Sequence, residues 1–157
     1  GARHPSITPF EAYKTKDGYI IISAGNDGLF AKLAEALENP GWAENPDYSS
    51  NDNRNKHVEK LKIEMESVLT AHTTSHWIEV LDKFGVPSGP INDIGQAATH
   101  PQTIARNMIV SVDDPITGPM KVAGNPIKIS GFEDPETRDP APNLDQNREE
   151  ILRELSD

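Results

Sequence analysis

Few side chains in this sequence stand where chemistry is expected. His72 and His76 are four positions apart, a spacing that puts two imidazoles on one face if a single helix runs through both. Thr73-Thr74-Ser75 between them predicts a helix break, and no glutamate follows His72 as in a zinc-protease helix. The pair therefore reads as two surface histidines at a junction. Ser88 lies in Pro-Ser-Gly-Pro, without the strand-turn-helix setting of a nucleophile elbow, and reads as a turn serine. Gly25-Asn26-Asp27-Gly28 has the look of a strand-to-helix turn. It lacks both the lysine of a phosphate loop and the third glycine of a dinucleotide fingerprint, so a capping role is expected. Asp113-Asp114 and Glu149-Glu150 are sequence neighbours, and neighbours do not face one another on a helix or strand. They read as solvated charge. Residue types and spacing alone therefore yield no self-sufficient catalytic constellation.

The elements that would position such groups follow from pattern. Gly1 to Phe10 is proline-containing and extended. Glu11-Ala12-Tyr13-Lys14 and Tyr19-Ile20-Ile21-Ile22-Ser23-Ala24 flank Asp17-Gly18, which predicts a hairpin turning through a glycine at positive φ. The apolar start of the second run suggests a strand covered on both faces. Asn26 is a cap for a helix whose stripe is Leu29, Phe30, Leu33, Ala34 and Leu37, stopped at Asn39-Pro40-Gly41. Trp42 to Asn55 is polar and turn-rich, with Trp42 and Tyr48 as anchors. A second helix is expected over Lys56 to Ala71, and a third carries Trp77, Ile78, Leu81 and Phe84 and ends at Gly85. Val86 to Pro90 cannot be helical. Short helices are expected over Asp93–Ala98 and Pro101–Asn107. Ile109–Val112, Lys121–Ala123 and Pro126–Ile129 read as strands, with Gly118-Pro119 turning between the first two. Asp134 to Pro142 reads as an extended linker, and Asp145 to Leu155 as a last helix presenting Ile151, Leu152 and Leu155. The fold class expected is α+β, a small antiparallel sheet with several helices. Residues 1–132 form the domain, and 133–157 an acidic, proline-containing linker and helix.

Composition narrows the function classes. The chain has 157 residues and a formal charge of −10, which disfavours contact with phosphate backbones and makes nucleic acid an unexpected partner. No apolar run approaches the roughly 20 residues that span a bilayer, so no membrane association is expected. With no cysteine, thiolate nucleophiles, disulfides and zinc–thiolate sites are excluded. No metal site is expected, no secretory signal is visible, and the cytoplasm is the expected location.

Six motifs in order carry a resemblance. They are Gly1-Ala2-Arg3-His4-Pro5-Ser6-Ile7-Thr8-Pro9-Phe10, Tyr13-Lys14-Thr15-Lys16-Asp17-Gly18-Tyr19-Ile20, Ala24-Gly25-Asn26-Asp27, Gly85-Val86-Pro87-Ser88-Gly89-Pro90-Ile91-Asn92, His100-Pro101-Gln102 with Ala105-Arg106-Asn107-Met108, and Pro126-Ile127-Lys128-Ile129-Ser130-Gly131. Together they resemble the class III CoA-transferases, the CaiB/BaiF family that includes formyl-CoA transferase and carnitine CoA-transferase. The resemblance covers nearly the whole chain.

The resemblance implies the small domain of that family plus part of its C-terminal return segment. In the family an aspartate of a large domain attacks an acyl-CoA. A mixed anhydride and then an aspartyl-CoA thioester form, and CoA passes to a second carboxylic acid. That aspartate lies upstream of anything present here. The implication is a chain inactive by itself, with no catalytic residue and no cofactor of its own, and with coenzyme A as the full-length family's substrate. Its implied partners are the missing large domain or an N-terminal chain, an acyl-CoA and an organic acid, and a second copy in a homodimer. Gly1, Ala2, Arg3, His4 and Pro5 occupy the place of a glycine-rich loop that closes over the intermediate in formyl-CoA transferase. Arg3 can pair a carboxylate there and His4 can hydrogen-bond one. The alternatives are a free-standing binding or assembly module with the same fold, or a fragment from the family's racemase branch. Where relatives commonly read Leu-Gly-Glu-His-Thr, this chain has Leu144-Asp145-Gln146-Asn147-Arg148.

Overall fold

The computed structural model describes residues 1–156. Two compact units divide the chain, Gly1–Ile91 and Asn92–Asp157, a boundary distinct from the change in composition after Phe132.

The first unit begins with a hairpin of β1 (Phe10–Lys14) and β2 (Tyr19–Ser23), paired antiparallel with Ala12 opposite Ile21. Ile20 and Ile22 are buried while Ile21 is only half-buried, so β2 alternates rather than being covered on both faces. The connecting loop has four residues, Thr15 to Gly18, and Gly18 is not at positive φ. A loop of this length does not need the mirror-image turn that Asp-Gly favours in two-residue hairpins. Asp17 instead accepts hydrogen bonds from the Thr74 amide (2.8 Å) and the Thr74 hydroxyl (3.1 Å), tying the hairpin to a helix start.

Five helices follow: α1 (Asp27–Ala36), α2 (Gly41–Glu44), α3 (Asn51–Lys56), α4 (Val58–Leu69) and α5 (Thr74–Phe84). Asn26 caps α1 by accepting from the Leu29 amide at 2.8 Å, and Thr73 caps α5 through the His76 amide. Gly85, with φ +67, closes α5 in the left-handed conformation. The helix expected over Lys56 to Ala71 is α4, shorter at both ends, and the polar stretch before it, expected to be turn-rich, holds α2 and α3. Ser88–Pro90 is a strand, β3, that completes the order β1-β2-β3. Ser88 is therefore a strand residue, and its buried hydroxyl has no hydrogen-bond partner among the described residues. The core joins Ile20, Ile22, Phe30, Leu33, Leu37, Leu61, Met65, Leu69 and Leu81, with Tyr48 and Trp77 as the large anchors. Each such side chain contributes about 1.5–3 kcal/mol by leaving water.

The second unit comprises α6 (Ile94–Thr99), α7 (Pro101–Ala105), β4 (Ile109–Asp114), β5 (Gly118–Ala123), β6 (Thr137–Arg138) and α8 (Arg148–Glu154). Asp93 and Gln96 form a reciprocal capping box at α6, and Pro101 opens α7. The β4–β5 turn is organised by Asp114, which accepts from the Ile116 and Thr117 amides at 2.9 and 2.8 Å. Asp114 is thus a turn ligand rather than free charge. Gly118, at φ +81, completes the reversal.

Pro126–Ile129 is not a strand. Pro126 has no amide to offer, and the Ile127 amide is taken by the Asn125 side chain at 3.0 Å. The place beside β4 goes to β6, which pairs with it in parallel. The single antiparallel sheet expected is accordingly two small sheets, the second of mixed direction with order β5-β4-β6. The last helix is shorter than Asp145–Leu155 at both ends, and Ile151, Leu152 and Leu155 are exposed.

Candidate functional site

The densest polar construction in the first unit lies where α3 meets the N-terminal segment. Ser50 caps α3 by accepting from the Asn53 amide at 3.2 Å. From that start Asn51, Arg54 and Asn55 fall at i, i+3 and i+4, on one face. The Asn51 and Asn55 side-chain amides each donate to the Ser6 carbonyl at 2.8 Å. In return, Asn51 Oδ1 accepts from the Thr8 amide at 3.0 Å and Asn55 Oδ1 from the Thr8 hydroxyl at 2.6 Å.

Arg54 is fully buried. Its guanidinium donates to the carbonyls of Thr8 (2.8 Å), Tyr48 (2.8 Å) and Gly25 (3.1 Å) and to the Asp27 carboxylate (2.8 Å). It also lies 4.6 Å from the centre of the Phe30 ring. A planar fork with several donors is the side chain suited to gathering carbonyls from separate segments. Gly25-Asn26-Asp27-Gly28 is thereby both the cap of α1, as expected, and an acceptor for Arg54. Gly25 is required sterically, since a Cβ there would stand 2.0 Å from Ile7 Cγ2.

Upstream of this clamp, His4 is held against Phe10. The His4 amide donates to the Phe10 carbonyl at 2.9 Å, the rings stack with centroids 5.4 Å apart, and the Ser6 amide donates to His4 Nδ1 at 3.2 Å. His4 is half-buried, whereas Gly1, Ala2, Arg3 and Pro5 are exposed. Tyr13 lies within the influence of Arg3. Burial pushes its phenol far up, and Glu11 and Glu66 add to this while the Arg3 charge opposes it. Glu11 is buried and paired with Lys62 of α4. The segment thus carries an exposed cation, Arg3, next in sequence to a half-buried imidazole, His4.

The other candidates lie apart from this construction. His72 and His76 flank the α5 cap, as the predicted break requires. Their rings stack at 4.2 Å and line a cavity of about 360 Å³ with Trp77, Val68 and Val80. No cluster of three or more histidine, cysteine, aspartate or glutamate side chains suited to a metal exists among the described residues. Asp113 and Asp114 are in the second unit, on β4. No helix among the described residues is long and apolar enough to cross a membrane.

Arg54 is the residue that sequence reasoning missed, hidden in a stretch that reads as polar loop. The signal available was Ser50 followed by Asn51, Arg54 and Asn55 at helical spacing, a capped turn with one polar face.

The family defined by this fold and sequence is established by comparison. The profile of CoA-transferase family III matches residues 1–148, and the chain belongs to that family. It is 37% identical over 156 residues to acetyl-CoA:oxalate CoA-transferase of Acetobacter aceti, covering 99% of this chain and 39% of that protein. It is 34% identical to human succinyl-CoA:glutarate CoA-transferase, again over 99% of this chain but 35% of the relative. Among solved structures, a CAIB/BAIF family protein from Brucella suis superposes with a TM-score of 0.76 at 31% identity, over 99% of this chain and 39% of that one. The chain thus spans less than two-fifths of the length of these relatives.

Proposed function

We propose that this chain is the small-domain portion, residues 1–132, and the start of the return segment, residues 133–157, of an enzyme that moves CoA from an acyl-CoA to a carboxylic acid. Catalysis requires a further region that supplies the aspartate nucleophile and completes the CoA site. Gly1, Ala2, Arg3, His4 and Pro5 are the proposed substrate-proximal segment, and the cytoplasm is the proposed place of action. The observation that carries the reading is the match across residues 1–148 to a family whose similar members are named for transfer between acids, oxalate and glutarate among them. The apolar surface of the second unit supports the need for a partner region: Ile127, Ile129, Phe132 and Leu144 are all well exposed.

The test is complementation. The purified chain alone is expected to transfer no CoA from acetyl-CoA to oxalate or succinate. Co-expression with the N-terminal portion of the Acetobacter aceti relative, ending where the match begins, is expected to restore transfer. Turnover by the chain alone that persists through repurification would overturn the reading.

A further inference from the structure

We propose that the cavity of about 360 Å³ framed by the ends of α1 and α4 and the start of α5 binds a small aromatic primary amine, its ammonium on Glu38 and its ring against Trp77, His72 and His76. The cavity lies wholly in the first unit, and the proposal does not rest on the transferase reading.

The electrostatics select a cation. Ala36 and Leu37 line the cavity from the end of α1, and Val68 and Ala71 from the end of α4, so two helices bring their C-termini to it. A helix C-terminus carries partial negative charge and favours a cation, yet neither last turn contains a basic residue. α5 begins at the same place, but its positive end is already answered by Asp17, which accepts from the Thr74 amide and hydroxyl. Glu38 is the one carboxylate in the lining, and among the described residues no lysine or arginine joins it there or pairs with it.

The backbone singles out Glu38 as well. The Asn39 amide donates to the Ala34 carbonyl at 2.8 Å and the Glu38 amide to the Glu35 carbonyl at 2.9 Å, the two bonds that close a helix through a left-handed residue. That residue is Glu38, at φ +58. The same two bonds close α5, from Val86 to Leu81 and from Gly85 to Asp82, but through a glycine at φ +67. Glycine takes this conformation freely, whereas a side chain with a Cβ strains there. An acid at this position therefore costs the fold twice, in backbone and in charge, and a bound cation supplies the compensation.

Size and shape select the rest of the ligand. The His72 and His76 rings stack at 4.2 Å, and both meet Trp77 edge-on, with centroids 5.6 and 5.2 Å away. Trp77 is held by its indole N–H, which donates to the Leu69 carbonyl at 2.7 Å. Three rings with Leu37, Val68 and Val80 make a lining that suits an aromatic body. Glu38 and the two histidines are not grouped as a metal cluster among the described residues, so the chemistry fitted is that of a molecule with a charged end and an apolar end.

The probe is 2-phenylethylammonium chloride, titrated into this chain, with 2-phenylethanol as the uncharged counterpart and sodium chloride to match ionic strength. Magnetic resonance follows the Trp77 indole N–H and the His72 and His76 rings. The amine is expected to shift these signals saturably and to bind about tenfold more tightly than the alcohol. Glu38→Gln is expected to bring the amine down to the level of the alcohol and to leave the alcohol where it was. The double variant His72→Ala/His76→Ala is expected to weaken both ligands alike, since it removes ring contact and not charge. Glu38→Gly is expected to abolish the preference for the amine while raising the melting temperature by about 2–4 °C, which a residue kept for the fold would not do. The proposal is overturned by no saturable shift, by equal affinity for amine and alcohol, or by amine binding indifferent to Glu38→Gln. Binding indifferent to the histidine variant, or a Glu38→Gly chain that melts no higher than the parent, overturns it equally.

Discussion

Between Gly1 and Ile91, strands and helices close over a continuous core, and every buried hydrophobic residue of the described chain except Val110 belongs to that unit. Between Asn92 and Asp157 the backbone is as regular locally, with a capping box, an organised turn and a three-stranded sheet, yet its large apolar side chains face outward. Ile94, Ile104, Ile116, Ile127, Phe132, Leu144 and Leu155 are all more than half exposed. The contrast separates two things that usually coincide. Local hydrogen bonding shapes both units, whereas burial of apolar surface, the main driving term of folding, is available in only one.

The largest expected effect cuts the chain at that boundary. Residues 1–91 produced alone should melt cooperatively, while residues 92–157 alone should show no cooperative transition by calorimetry. A sharp melt of the second fragment would break the comparison.

Next is Arg54→Ala. It leaves the carbonyls of Thr8, Tyr48 and Gly25 without their donor inside the first unit. A loss on the order of 3 kcal/mol is expected in urea denaturation, since buried acceptors lose a charged donor that water cannot replace. Asp27 contributes little to that loss, being well exposed.

The two close-packed glycines give a smaller effect and a sharper discrimination. Gly25→Ala drives a Cβ into the Ile7 side chain, and Gly124→Ala drives one to 2.3 Å from the Asn107 carbonyl oxygen. Each should cost about 1–3 kcal/mol. Ile7→Ala should rescue the first by making space. No side-chain truncation should rescue the second, because its obstacle is backbone. A double-mutant cycle measures the difference.

The pH dependence should differ between the units as well. In the first, the Thr74 amide holds the Asp17 carboxyl below its ordinary value, and Lys60 does the same for Asp47. In the second, the Thr117 amide lowers Asp114 and Lys128 lowers Asp134. Lowered carboxyls stabilise fully above the unfolded value near 4 and lose that contribution as pH falls through the folded values. Both units should therefore weaken in acid. Tyr13 and Tyr48 are raised chiefly by burial, with the Tyr48 hydroxyl also donating to Glu64. Raised phenols stabilise below about 10 and lose that contribution as pH rises. All three tyrosines precede Ile91, so alkaline loss from phenol ionisation belongs to the first unit. Absorbance titration alongside melts checks this.

The smallest effect should come from Phe132→Ser or Leu144→Ser. In this chain either should change stability by less than about 0.5 kcal/mol, because the side chains already face water. Bound to the proposed large region, the same changes should weaken association measured by calorimetry.

Much of the local structure was legible in advance. Asn26, Thr73, Pro101 and Gly85 mark their helix ends, since a cap acts within one turn and its partners are neighbours in the chain. The hairpin strands were legible for the same reason, although the turn took a different form because Asp17 was claimed by Thr74, far along the sequence. The six ordered motifs were enough to point to the family. What the chain order does not contain is who satisfies whom across distance. β6 rather than Pro126–Ile129 pairs with β4 because a competing side chain captured one amide and proline supplied none. Arg54 reads as a loop arginine until Thr8, Gly25, Tyr48 and Asp27 are folded around it. Its acceptors come from three separate segments, and only the packed chain brings them within reach of one guanidinium.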